Sequence, residues 1–176
     1  MLKLVKLYDE AQVIARVAAL GQQISRDFSG DTVTLVTALK GSVFFLADLA
    51  RSITVPVELD FVSAHSYAAD RSSGTIRLEK PPSFELTGRN VLLVEDIVDT
   101  GRTCAFLVEL IADHKPSLVK VCTLLNKPSR RAVTLTLDYV GFIIEDVFVV
   151  GYGLDYDEQY RNLRGVWYIE SDSDRD

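Results

Sequence analysis

Cysteine is scarce. Among 176 residues only Cys104 and Cys122 carry a thiol, and both lie among apolar neighbours. That pattern excludes a disulfide framework and reads as two buried, reduced side chains without a chemical role. Histidine is as scarce, and His65 and His114 show no metal-ligand spacing, so they read as a loop residue and a helix-end residue. Positive charge is in deficit: 19 Lys and Arg face 25 Asp and Glu, for a formal net charge of −6 and a sequence pI near 5.0. A chain of that sign has no general attraction to nucleic acid or to an anionic membrane. No apolar run approaches the roughly 20 residues that span a bilayer, and residues 1–3 lead into an acidic amphipathic segment, where a signal peptide would have an apolar core. A cytoplasmic protein without nucleic-acid or membrane partners is the expectation.

What is abundant is apolar material, 48% of residues against 25% charged, enough for one domain over residues 1–176 with a sizeable core. The tail SDSDRD, 171–176, is expected to be disordered. Residues 9–28 place Val13, Ile14, Val17, Leu20, Ile24 and Phe28 at helical spacing, which predicts an amphipathic helix closed near Gly30. DTVTLVTALK predicts a strand, SVFFLADLARSI a helix and VPVELDFV a β-branched strand. Residues 63–84 are polar and contain Gly and Pro. They are too long for a plain connector and read as a mobile loop or hairpin. NVLLVE, LVKVCTLL, YVGFII, VFVV and VWYIE predict further strands, with a helix over 102–114 between the first two. Strands alternating with helices predict an α/β fold, a mainly parallel sheet flanked by helices.

The segment VLLVEDIVDTGRT, 91–103, carries the chemistry. In a parallel sheet, ligands sit beyond the C-terminal ends of the strands, so residues 95–103 should line a site. Thr100, Gly101, Arg102 and Thr103 offer backbone N–H groups, hydroxyls and a guanidinium at a helix start, which suits a terminal phosphate. With Gly101 its only glycine, the segment is neither GxxxxGK[ST] nor GxGxxG. Glu95 and Asp96 would repel a bare phosphate unless hydroxyl donors or a divalent cation stand between. A phosphorylated ribose answers both demands, its 5′-phosphate in the loop and its 2′- and 3′-hydroxyls on Glu95 and Asp96, directly or around Mg²⁺. Asp99 would then lie nearer the anomeric carbon. Taken singly, each of these acids would read as a solvated turn residue or helix cap; their concurrence argues for a site.

VEDIVDTGRT resembles the phosphoribosyl-pyrophosphate (PRPP) signature of the type I phosphoribosyltransferases. ALKGSVFF, HSYAADRSSG, LLNKPSRR and FVVGYGLDYDEQYRNL resemble segments of the purine-salvage branch, the hypoxanthine-guanine phosphoribosyltransferases. The resemblance spans about 150 residues, from the first predicted strand to the last. It implies the type I phosphoribosyltransferase fold with a small C-terminal hood, and transfer of 5-phosphoribose from PRPP to a 6-oxopurine. Asp99 would be catalytic, handling the purine N7 proton. Glu95, Asp96, Thr100, Gly101, Arg102 and Thr103 would bind the ribose and its phosphate. Leu39, Lys40 and Gly41, with a non-proline cis peptide between the first two, would bind pyrophosphate together with Arg161. Ser66 and Tyr67 would sit on a flexible loop closing over the reacting centre. Lys127 would donate to the purine 6-oxo group, Phe148 would stack on the base, and the Val149 backbone would read its edge. Glu95, Asp96 and Asp155 would hold Mg²⁺. The family also implies a homodimer or homotetramer. At Arg102 many relatives carry Lys, which keeps the charge and changes the hydrogen-bond geometry. Two other functions compete, a PRPP-sensing regulator and a phosphoribosyltransferase for xanthine or a pyrimidine. The regulator lacks support in the absence of a helix-turn-helix and in the negative charge.

Overall fold

A computed structural model of the chain describes residues 3–66, 76–80, 82 and 85–170. Its elements run β1 (Lys3–Tyr8), α1 (Glu10–Asp27), β2 (Val33–Ala38), α2 (Val43–Ser52), β3 (Val57–Ser66), β4 (Ile76–Lys80), β5 (Asn90–Val98), α3 (Arg102–Asp113), β6 (Leu118–Asn126), β7 (Tyr139–Ile143), β8 (Val149–Val150) and β9 (Val166–Glu170). Six strands form the main sheet in the order β4-β3-β2-β5-β6-β7. Five of them are parallel, and β4 joins the edge antiparallel to β3. The architecture is mixed α/β, a five-strand parallel sheet flanked by helices, as the alternation predicted. Among the described residues no helix is long and apolar enough to cross a membrane.

The unbroken apolar run of β5 follows from its central position, because both its faces are covered. Leu92 and Val94 pack with α1 and α2 through Val17, Leu20, Phe45 and Leu49. Val91 and Leu93 pack with Leu107 and Ile111 of α3 on the other side. Helix α1 starts at a capping box, where Asp9 accepts from the Gln12 N–H at 2.9 Å and Gln12 returns the bond to the Asp9 N–H. Of the apolar positions predicted to face the core, Ile14 does not. It is 52% exposed, on the margin of the stripe.

The hood differs from the expectation of a purely C-terminal one. It is a three-stranded antiparallel sheet, β1-β9-β8, whose outer strand is the unpredicted β1. The predicted strand VFVV shrinks to Val149–Val150. His65, expected in a loop, lies in β3, whose backbone pairs with β4 in the hairpin arm that was one of two readings for 63–84. Tyr67 and the tail 171–176 fall outside the described residues. His114 caps the C-terminus of α3, and both cysteines are buried and free, as expected.

Candidate active site

The C-terminal ends of β2, β5 and β6 converge at one edge of the sheet, and each delivers part of a site. Strand β5 continues through the acidic pair to Val98, three residues past its predicted end. A cavity of about 260 Å³ opens there, lined by Glu95, Asp96, Asp99, Thr100, Gly101 and Thr103 among others. Gly101 turns the chain into α3 with φ of 83°, a left-handed conformation that favours glycine. A Cβ at this position would also lie 2.9 Å from the Arg131 side chain. The residues expected to hold an anion therefore stand at the positive end of a twelve-residue helix.

The carboxylates beside it are in an unusual state. Glu95 is 6% exposed and its Oε1 is buried without a hydrogen-bond partner. Burial, reinforced by the charge of Asp96, pushes its pKa well above the usual carboxylate range. Asp96 rises to about 6, again chiefly through burial, although its Oδ1 accepts from the Ile97 N–H at 2.8 Å. Two desolvated acids with an orphaned oxygen suit hydroxyl donors or a hard divalent cation. Among the described residues no group of three or more His, Cys, Asp or Glu could hold a metal by itself.

After β2, the Leu39–Lys40 peptide is cis, as the resemblance implied. Gly41 brings its backbone against Asp96, since a Cβ there would lie 1.9 Å from Oδ2. Lys40 and Arg161, 121 positions apart in sequence but predicted to share one anion, do meet: both contact Glu158 Oε2, at 3.2 and 3.4 Å. Arg161 also donates to the Gly153 carbonyl at 2.8 Å and pairs with Asp155 at 2.9 Å. Asp155 further accepts from the Glu158 N–H, so both its oxygens are engaged in this state. Glu158 was not expected from the sequence. Its only signal was its place three residues before Arg161, and the positive φ of Asp157, Glu158 and Tyr160 in this segment is not readable in residue types.

After β6, Lys127 is 6% exposed with its ammonium 3.9 Å from Asp146. Asp146 contacts Arg130 at 3.5 Å, and Arg130 donates to Asp99 at 3.3 Å. A chain of alternating charges thus joins two residues predicted to act on the same base. Phe148, which as an isolated strand residue would be core, is 54% exposed, with Tyr156 edge-on at 5.6 Å. Val149 beneath it is buried. Ser66 ends β3. Arg130, Arg131 and Asp146, which contact candidate residues here, were not singled out from the sequence, although the paired arginines of KPSRR directly after a strand end were a visible signal.

Residues 5–157 match the family model described as a phosphoribosyl transferase domain. A hypoxanthine-guanine phosphoribosyltransferase of Mycobacterium tuberculosis is 45% identical over 166 residues, covering 90% of this chain and 82% of that one. A hypoxanthine phosphoribosyltransferase of Salmonella typhimurium is 44% identical over 157 residues, 88% of each chain. A crystal structure of a hypoxanthine-guanine phosphoribosyltransferase from Bacillus anthracis, with a HEPES molecule in the active site, superimposes with a TM-score of 0.92. It is 45% identical and covers 97% of this chain and all of that one. These relatives are named as phosphoribosyltransferases, a glycosyltransferase activity, and by sequence and by fold this chain belongs to the phosphoribosyltransferase family.

Proposed function

We propose that the protein transfers 5-phosphoribose from PRPP to N9 of a 6-oxopurine, hypoxanthine first and guanine second, giving a nucleoside monophosphate and pyrophosphate. One observation carries this reading: the buried Lys127 after β6 is linked through Asp146 and Arg130 to Asp99 in the loop after the adjacent β5, and the exposed aromatic Phe148 follows Asp146 by two residues. The relatives named for hypoxanthine support it.

In this reading Thr100, Gly101, Arg102 and Thr103 hold the 5′-phosphate, and Glu95 and Asp96 accept from the ribose hydroxyls. Lys40, Gly41 and Arg161 receive the pyrophosphate, with the ammonium and guanidinium released from Glu158. Lys127 donates to the 6-oxo group, Phe148 covers the base and Val149 reads its edge through the backbone. Asp99 takes the N7 proton and favours the positive charge that develops at C1′ as the glycosidic bond to pyrophosphate breaks. Ser66 and Tyr67 close over the centre and exclude water, to which the ribosyl cation is otherwise open. Glu95 and Asp96, with Asp155 once it exchanges Arg161, would hold Mg²⁺, which supplies charge neutralisation for the leaving pyrophosphate. The chain acts as one cytoplasmic domain. It pairs as a homodimer or homotetramer, and Leu39 stays with Lys40 and Gly41 in the pyrophosphate loop.

The test is turnover of PRPP with hypoxanthine, guanine, xanthine, adenine and uracil in turn, with Mg²⁺ and with excess EDTA. The expected result is turnover with the first two bases, abolished by EDTA. PRPP binding without turnover of any base, or turnover confined to uracil, overturns the reading.

A further inference from the structure

The connection after β6 does more than carry Lys127. It lies along the β5–α3 loop and accounts for the carbonyl groups of that loop one after another. The Val98 carbonyl accepts from the Lys127 N–H at 3.0 Å and from Arg131 Nη2 at 3.5 Å. The Asp99 carbonyl accepts from Arg131 Nε at 3.3 Å, and the Thr100 carbonyl from the Ala132 N–H at 2.9 Å. In a trans peptide the C=O and the following N–H point in opposite directions. Fixing three successive carbonyls toward the β6–β7 connection therefore turns the N–H groups of Asp99, Thr100 and Gly101 the other way, where these residues line the cavity.

Among the described residues the middle carbonyl of the three accepts from Arg131 alone, whereas each outer one accepts from a backbone N–H. The guanidinium is itself oriented from behind, donating to Asn126 Oδ1 at the end of β6 at 2.6 Å. Its stem lies so close to Gly101 that a Cβ at that position would come within 2.9 Å of Cδ. We propose that Arg131 is a positioning residue for the phosphate cradle, which aims the loop amides at the ligand's phosphate without touching the ligand. The proposal rests on the phosphoribosyl reading of the cradle and adds to it a cause for the cradle's shape. Its action differs from that of a nearby positive charge, because it requires donors spread over two loop carbonyls and Asn126, a fork that an ammonium cannot reproduce.

The probe is ribose 5-phosphate, titrated calorimetrically into wild type, Arg131→Met and Arg131→Lys, with steady-state kinetics in parallel. Arg131→Met is expected to raise the ribose 5-phosphate Kd by about tenfold or more, while KM for hypoxanthine at saturating PRPP stays within about twofold. Arg131→Lys is expected to recover only a minor part of that loss. Full recovery with lysine, an unchanged Kd in Arg131→Met, or equal losses for phosphate and base would each overturn the assignment. Should Arg131→Met not fold, Asn126→Ala keeps the arginine and frees its guanidinium. It is expected to raise the same Kd by about threefold, and no change overturns the proposal. A wild type that binds ribose 5-phosphate no better than ribose defeats the cradle reading itself, whereas good binding shared equally by all variants defeats Arg131 alone.

Discussion

A methyl group added at Gly41 would land 1.9 Å from Oδ2 of Asp96. Real Cβ atoms essentially never come within 3.0 Å of such a neighbour, so the carboxylate must retreat by more than an ångström. It can do so, because it ends a short side chain, at the expense of the bond its Oδ1 accepts from the Ile97 N–H at 2.8 Å. Losing that bond costs about 1 to 3 kcal/mol, which for a chain of this size lowers Tm by about 3 to 10 °C. The catalytic loss should be larger in proportion, since misplacing a group by about 1 Å can reduce turnover by about 100-fold. Gly41→Ala is therefore expected to fold, to melt slightly early, and to lose about two orders of magnitude in kcat/KM for PRPP. Gly153→Ala is the contrast. There the added carbon meets the backbone oxygen of Gly41 at 1.9 Å, at a φ of +103°, and neither the backbone nor the dihedral can give cheaply. Its Tm should fall well below that of Gly41→Ala. The measurements are thermal unfolding and PRPP saturation at fixed hypoxanthine. A Gly41→Ala enzyme within about threefold of wild type, or one destabilised as much as Gly153→Ala, refutes the claim that Gly41 is there to let Asp96 in.

Removing the ammonium of Lys127 should cost about 1.5 to 3 kcal/mol of transition-state stabilisation, or about 10- to 150-fold in kcat/KM for hypoxanthine and guanine, and should narrow their lead over adenine. Unchanged discrimination in Lys127→Ala removes the residue from base recognition. Burial raises the Asp96 pKa from 3.8 to about 6, so the folded, ligand-free protein holds this proton more tightly than the unfolded chain does. Its contribution to stability is complete below about pH 4 and is lost as pH rises through about 6, a difference of up to about 3 kcal/mol. Asp96→Asn should accordingly melt higher than wild type at pH 7, with the gap closing toward pH 4; a variant that melts lower at pH 7 contradicts this. The Cys104 thiol is pushed up to about 12, and that of Cys122 higher still, chiefly by burial. Neither should react with a thiol reagent at pH 8 until the protein unfolds, and a rapid stoichiometric reaction in the native state would show that the core opens there.

The parts of this molecule legible in sequence are those fixed by local pattern. The spacing of Val13, Val17, Leu20 and Ile24 marked α1, and the apolar run of β5 marked a strand covered on both faces. The acids and Gly101 were legible because a loop between a strand and a helix keeps its residues together in space. What escaped depends on contacts between distant segments. Strand β1 is held by β9, with Lys3 opposite Glu170, and nothing near residue 3 signals that partner. Ile14 fits the apolar period of α1 yet lies at the rim, because periodicity gives a face and tertiary packing decides how wide the covered stripe is. The roles of Glu158 and Arg131 came from loops meeting 118 and 32 positions away, and a residue type alone does not say which carbonyl or ammonium it will find.

The pairing of β1 with β9 also has a consequence for how the protein is made. The strands of the parallel sheet emerge from the ribosome in an order that lets β2, β3, β5 and β6 find their neighbours while synthesis continues, whereas β1 has to wait for a partner at residues 166–170. Closing so long a loop costs more entropy than pairing neighbouring strands, and contacts of that sequence separation form slowly. Gly153 and Arg161 lie between β8 and β9 and reach the Gly41 loop from there, so a nascent chain carries the acid pair and the glycine turn before the groups that meet Lys40 are in place. On the proposed reading, the residues for the phosphate are synthesised before Arg161, and the site is complete only when the two ends of the polypeptide are joined.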